Sequence, residues 1–357
     1  MTTDITKNIP AEITKRLLEH GSRVAMRSAS LASEFSNSRV EIRERLDDVI
    51  SAVPDHVLDG LPAPSVAAVD GALICDAKSI GDLCSAVGVR VGPDEGQSDS
   101  DVWMDLVSRS VTNRDILGGV MSSMEIRLAA ESNADVVLID GSMLSTMLNV
   151  AKGLAASRGV SNELSVRLGA IASPDFFEQV MTILSSARYV AMPKYTTTNE
   201  FADRIPEKFG STDARTIMTL ALRPGEMTYF SVREREQNSG DKFKAPYLGF
   251  NKENQAEFTD ALEGVVSCYY RPHAWTPAFR LDMIADALHD DEALLRALKA
   301  VRDSTTVSGM REPVPLYLVD LFAKSISEGT APVVDMAVLS EISDPEVKLL
   351  LAMGYRT

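Results

Sequence analysis

Cysteine is scarce. Cys75, Cys84 and Cys268 are the only three in 357 residues, too few and too scattered for a disulfide framework or a zinc site. No apolar run approaches the roughly 20 residues that span a bilayer. The polar start, Met1-Thr2-Thr3-Asp4-Ile5-Thr6-Lys7, has no signal-peptide core. These absences predict a soluble protein of a reducing cytoplasm, with no membrane partner. Basic charge is also short, with 36 Lys and Arg against 51 Asp and Glu and a net charge of −15. That balance disfavours indiscriminate nucleic-acid binding, so a DNA enzyme of this composition needs a local basic channel or delivery by a partner. A Gly-x-x-x-x-Gly-Lys-Ser/Thr phosphate loop is missing, so ATP-driven work would fall to another chain. None of the four histidines, His20, His56, His273 and His289, has a context that marks it as a general base.

What the chain does have is an apolar content of 45%, normal for a soluble protein with a real core. It also has two β-prone runs that finish on a carboxylate and a glycine. Ser65-Val66-Ala67-Ala68-Val69-Asp70-Gly71 is the first, and Val136-Val137-Leu138-Ile139-Asp140-Gly141 the second. In each, the glycine is expected to turn the chain and close the strand. Two such strands side by side place paired carboxylates at one sheet edge, where they can hold divalent cations beside a phosphodiester.

Taken in order, Ala11 to Val53 reads as helical, with Arg39, Arg43 and Arg45 interleaved with Glu41, Glu44, Asp47 and Asp48 as a solvated face. Leu83 to Val91 is expected to pair with the first strand, and Gly92 to Ser100 to form a surface loop. From Thr112 the period becomes helical, with Leu117, Val120, Met121, Met124 and Leu128 as the apolar stripe. Glu125 stands at the edge of that stripe, where a carboxylate must reach solvent or a cation. Helices are expected over Leu144–Ser157 and Phe176–Ser186, and strands over Arg188–Met192, Met227–Val232 and Val265–Tyr270, the last entering a hairpin through Asp282. Lys194 ends the Arg188–Met192 strand, placed to hold a phosphate or steady an acidic site. The charged segment Arg233–Lys244 reads first as a mobile solvated loop, with a basic track for a DNA strand as the second reading. In the last helix Pro315 suits the first turn, and Leu316, Val319, Asp320, Ala323 and Ser327 share one face.

The order strand-Asp70, helix-Glu125, strand-Asp140, strand-Lys194, helix-Asp320 is the layout of ribonuclease-H-like nucleases. The chain resembles the NurA family of DNA end-processing nucleases. The resemblance rests on Ala68-Val69-Asp70-Gly71, Glu125, Leu138-Ile139-Asp140-Gly141-Ser142, Met192-Pro193-Lys194, Pro313-Val314-Pro315-Leu316-Tyr317-Leu318-Val319-Asp320 and the Tyr269–Asp282 hairpin. It implies an α/β fold with a mixed central sheet flanked by helices. Its expected parts are a helical region over residues 1–60 for dimer or partner contact, a nuclease domain over 61–330 and a helical tail over 331–357. It further implies Asp70, Glu125 and Asp140 as principal ligands of two Mn²⁺ or Mg²⁺ ions, with Asp320 where the family often has histidine, and Lys194 on the scissile phosphate. The implied activity is 5′–3′ exonuclease and single-strand endonuclease cleavage of DNA. The implied setting is a homodimer working with a HerA-type hexameric translocase ATPase in end resection, repair or anti-phage defence. A non-catalytic dimeric adaptor of a translocase is one alternative. An actin- or sugar-kinase-type phosphotransferase is the other, against which Ala72-Leu73-Ile74 and Met143-Leu144 stand where phosphate loops belong.

Overall fold

The computed structural model describes residues 11–93, 98–171, 174–194, 201–228, 231–232, 245–284, 287 and 290–352. In chain order the first half comprises α1 (Ala11–Leu46), β1 (Ile50–Ala52), α2 (Asp55–Asp59), β2 (Val66–Lys78), β3 (Gly81–Val91), β4 (Asp99–Val107), α3 (Asn113–Ala130), β5 (Val136–Asp140), α4 (Met143–Ser157), α5 (Glu163–Ile171) and α6 (Pro174–Leu184). The second half adds β6 (Tyr189–Met192), α7 (Ala214–Ala221), β7 (Glu226–Thr228), β8 (Ser231–Val232), α8 (Lys252–Glu263), β9 (Val265–Arg271), β10 (Phe279–Ile284), α9 (Asp291–Ser304), α10 (Val314–Glu341) and α11 (Pro345–Ala352).

One mixed sheet organises these elements in the order β1-β7-β9-β10-β6-β5-β2-β3-β4, with β8 also paired to β9. The β2–β5 and β5–β6 pairs are parallel and the β2–β3 and β3–β4 pairs antiparallel, the ribonuclease-H-like arrangement expected. Strand alternation sorts the core into two faces. Ala68, Leu138 and Val190 pack with Leu316, Val319 and Ala323 of α10 and with Leu298 of α9. Val69, Ile139 and Ala191 face the other way, against Ile126 of α3, Met147 of α4, Phe176 of α6 and Phe258 of α8. Asp70 and Asp140 share the parity of Ala68 and Leu138, so both carboxylates belong to the α10 face.

Several local expectations are corrected. Asp70-Gly71 does not close the first strand: β2 continues to Lys78, with Gly71 opposite Gly88 of β3. The helix stops at Leu46 rather than Val53, because Ile50, Ser51 and Ala52 pair with β7 as β1. Of the expected Met227–Val232 strand, the described residues form β7 and β8, both paired to β9; residues 229–230 lie outside the described residues. Arg43 is not on a solvated face, since its guanidinium grips Glu226 at 2.6 and 2.8 Å and donates to the Ala221 carbonyl. Cys75 and Cys84, apart in sequence, are register partners in β2–β3 with sulfurs 3.6 Å apart. β4, α5, α7 and α8 were not anticipated. The Arg233–Lys244 segment and His289 lie outside the described residues. Among the described residues, no helix is long and apolar enough to cross a membrane.

Among the described residues, the buried contacts of α1 lie toward its C-terminal end. Ile42 and Leu46 are buried and Phe35 stacks on Phe209, whereas from Ala11 to Glu34 every residue but Thr14 is exposed.

Candidate metal centre

Asp70 comes from the middle of β2 and Asp140 from the last position of β5. Asp320 lies two turns into α10, with Leu316 and Val319 of its face anchored in the core. One carboxylate oxygen from each of the three lies within 4.8 Å of the others. The α10 spacing explains the third: Asp320 follows Leu316 by four residues, and so is carried to the sheet by the same apolar stripe.

Glu125 sits on the opposite side of β2. It is buried on α3, and its Oε1 would lie 2.5 Å from a Cβ built on Gly71. Gly71 is therefore demanded by close approach of a carboxylate and not by a turn. Gly88 makes the companion allowance, since a Cβ there would meet Met124 Cβ at 2.8 Å. The facing glycines let α3 settle onto the sheet and bring Glu125 to the back of the cluster. Gly141 has the opposite reason: its φ of +92° is a true left-handed turn after Asp140. The two Asp-Gly pairs look alike in sequence and serve different geometry.

Electrostatics mark the site. Burial first, then the charges of Asp140 and Glu125, pushes Asp70 up to about 9, against the opposing Gly71 N–H and Lys194. That N–H donates to Asp70 Oδ1 at 2.7 Å. Burial, then Asp140, raises Glu125 to about 8, against hydrogen bonds from Ser122 and the Gly71 amide. Burial also pushes Asp320 upward, but Lys324 and Lys194 outweigh it and hold the carboxyl below its usual range. Lys194 reaches in from the end of β6, its ammonium 2.7 Å from Asp140, 3.1 Å from Glu312 and 3.6 Å from Asp320. Burial lowers its pKa, and these carboxylates more than reverse that.

The structure thus gathers Asp70, Asp140, Asp320 and Lys194, with Glu125 behind them. Two groups were missed by sequence reasoning. Glu312 lies in the turn before α10, and Lys324 is paired with Asp320 at 2.8 Å one helical turn further on. The i,i+4 spacing was visible for Lys324; nothing local pointed to Glu312.

The donor set suits a hard divalent cation. All candidate ligands are carboxylate oxygens, and burial with neighbouring carboxylates pushes Asp70 and Glu125 well above their ordinary range, a cost that a bound cation would relieve. Asp70, Asp140 and Asp320 would hold such an ion, and Glu125 is placed to complete the set from behind.

The family model for the NurA domain matches residues 64–325. The crystal structure of the NurA nuclease from Sulfolobus solfataricus superposes with a TM-score of 0.61 at 13% identity, covering 94% of this chain and 99% of that one. A crystal structure of NurA bound to dAMP and manganese gives a TM-score of 0.56 at 12% identity, with the same coverage. No curated protein matches significantly. At such identities the superpositions establish the fold alone, a mixed α/β sheet flanked by helices. The family match takes in every residue of the carboxylate cluster, and this chain belongs to the NurA domain family.

Proposed function

We propose that this protein is a metal-dependent nuclease that hydrolyses DNA phosphodiesters. The observation that carries the reading is the convergence of Asp70, Asp140 and Asp320, from two strands and a helix, beside the Lys194 ammonium. Mn²⁺ or Mg²⁺, when bound, supplies Lewis acidity and neutralises charge on the scissile phosphate. Asp70, on which the charges of Asp140, Glu125 and Lys194 all act, would be a principal ligand of such an ion. Asp140 and Asp320 orient against it, and Glu125 adds charge from below. Asp140 and Asp320 would hold the cation, and the Lys194 ammonium beside them would supply positive charge for a non-bridging phosphate oxygen. The turn and helix around the cluster keep these groups preorganised before substrate arrives.

The finer reading follows the family resemblance: 5′–3′ exonuclease and single-strand endonuclease action, coupled to a HerA-type hexameric ATPase in end processing, repair or phage defence. The absent phosphate loop and the acidic composition support dependence on such a motor. A homodimer is supported by exposed Leu17, Val24 and Leu31 at seven-residue spacing on α1. The deciding experiment is Mn²⁺-dependent digestion of linear duplex and single-stranded DNA by wild type, Asp70→Asn and Asp140→Asn, alone and with a cognate translocase. Cleavage by wild type and none by the variants is expected. Intact DNA under every condition refutes the nuclease, and DNA binding without cleavage would support the adaptor.

A further inference from the structure

We propose that the β9–β10 turn presents Trp275, backed by His273, as a stacking platform for an unpaired base of the DNA strand entering the metal centre. The identity of the polymer rests on the nuclease reading above; the platform rests on the turn itself.

Register places this turn at the right edge. β10 runs antiparallel to β6 with Asp282 opposite Ala191. Moving back along β10 toward Phe279 and the turn therefore moves in the direction of Pro193 and Lys194, the edge where Asp140 also ends. β10 stands three strands from β2 in the sheet order, about 14 Å at the usual inter-strand spacing. That lateral step between the strands is the least path from the turn to the cluster, and a few nucleotides of single strand span such a length. Arg215 ties the two regions together, donating at 2.7 Å to the Lys194 carbonyl and at 3.0 Å to that of Ala278.

The turn is also built as a rigid support. The rings of His273 and Trp275 are stacked at 4.5 Å between centroids with 9° between planes. Arg271 donates to the carbonyls of Thr276 and Ala274 at 3.1 and 3.0 Å. The His273 amide donates to the Thr276 hydroxyl, which donates back to the His273 carbonyl. His273 Nε2 lies 3.2 Å from the Arg302 carbonyl. With the imidazole stacked on the indole, Trp275 is still 49% exposed, which leaves ring surface open to a ligand. Fixed aromatic faces of this kind bind single strands without reading sequence, because every base offers a π-face. On a chain of net charge −15, such uncharged contact supplies affinity that phosphate attraction does not.

The protein has only two tryptophans, and Trp103 lies on β4 at the far edge of the sheet. The test uses a Trp103→Phe protein, in which Trp275 is the only indole emitter, titrated with a short oligothymidylate in chelator so that nothing is cut. Saturable quenching is expected. In parallel, anisotropy of the labelled oligonucleotide should show about tenfold weaker binding for Trp275→Ala, with partial retention by Trp275→Phe. Matching thermal melts would establish that the variants fold. Unquenched emission, or equal binding by wild type and Trp275→Ala, overturns the platform whether or not Mn²⁺-dependent cleavage is observed. The same result with impaired pairing to a protein partner reassigns the turn and likewise overturns it. Quenching without any cleavage upholds the platform and sinks the nuclease reading instead.

Discussion

Replacing Gly71 by alanine tests the close packing beneath the carboxylate cluster. The new methyl would lie 2.5 Å from Glu125 Oε1, 2.7 Å from Met121 Cγ and 3.0 Å from the Val87 carbonyl oxygen. Glu125 is buried, it and Met121 both belong to α3, and Val87 is held in the β2–β3 ladder. Relief therefore has to come from displacing α3. Overpacking of this kind costs about 1–3 kcal/mol, and two contacts below 3 Å place Gly71→Ala in the upper part of that range. The control is Gly118→Ala on the same helix. Its nearest neighbour would be Leu73 Cδ2 at 3.9 Å, so the change should stabilise by about 0.5–1 kcal/mol through helix propensity. Urea unfolding followed by circular dichroism reads both, through the shift in midpoint at constant slope. Gly71→Ala should also weaken Mn²⁺ binding, because the displaced group is Glu125. If both variants are neutral, or Gly71→Ala stabilises, the account of Gly71 as a close-approach glycine is wrong.

In chelator, Asp70 and Glu125 hold protons in the folded protein that the unfolded chain releases near 3.8 and 4.5. Folded-state pKa values raised in this way leave stability greatest in acid and erode it as pH climbs toward about 8 and 9. The slope is up to about 1.4 kcal/mol per pH unit for each such proton. The melting temperature should fall from about pH 6 to about pH 8, and Asp70→Asn should flatten the curve; a flat or rising wild-type curve counts against the protonated cluster. Lys194→Ala should lower turnover roughly 10²-fold, as loss of a charge-stabilising donor does, while Mn²⁺ binds no more weakly; unchanged turnover would remove Lys194 from the chemistry. Asp320→Ala should weaken Mn²⁺ affinity measured by calorimetry without changing the unfolding free energy from urea titration by more than about 1 kcal/mol. Full activity and affinity in that variant would exclude Asp320 as a ligand.

Asp70 and Asp140 were legible because each follows a continuous apolar run that predicts a buried strand, and Asp320 because it keeps helical step with Leu316 and Val319. Glu125 was legible as a misfit on an apolar stripe. What lay hidden was tertiary. Gly71 has the chemistry of a turn residue, and only pairing with Gly88 shows it inside a long strand. Val49, Ile50 and Val53 continue a helical period, yet pairing with β7 overrides it. β4 alternates over Val102 to Leu106 but carries half-exposed apolar groups on an edge, so its pattern lacks a polar face. Glu312 meets Lys194 across more than a hundred residues of chain, a contact no local spacing encodes.

The exposed part of α1 has a consequence in solution scattering. A folded chain of this length packed into one globule has a radius of gyration of about 20 Å. The exposed stretch from Ala11 to Glu34 extends about 36 Å at the helical rise. An isolated copy should therefore give a pair-distance distribution with a long, weak tail. Association through that rod would instead fill in the intermediate distances, so the shape of the tail against concentration separates a free arm from a paired one.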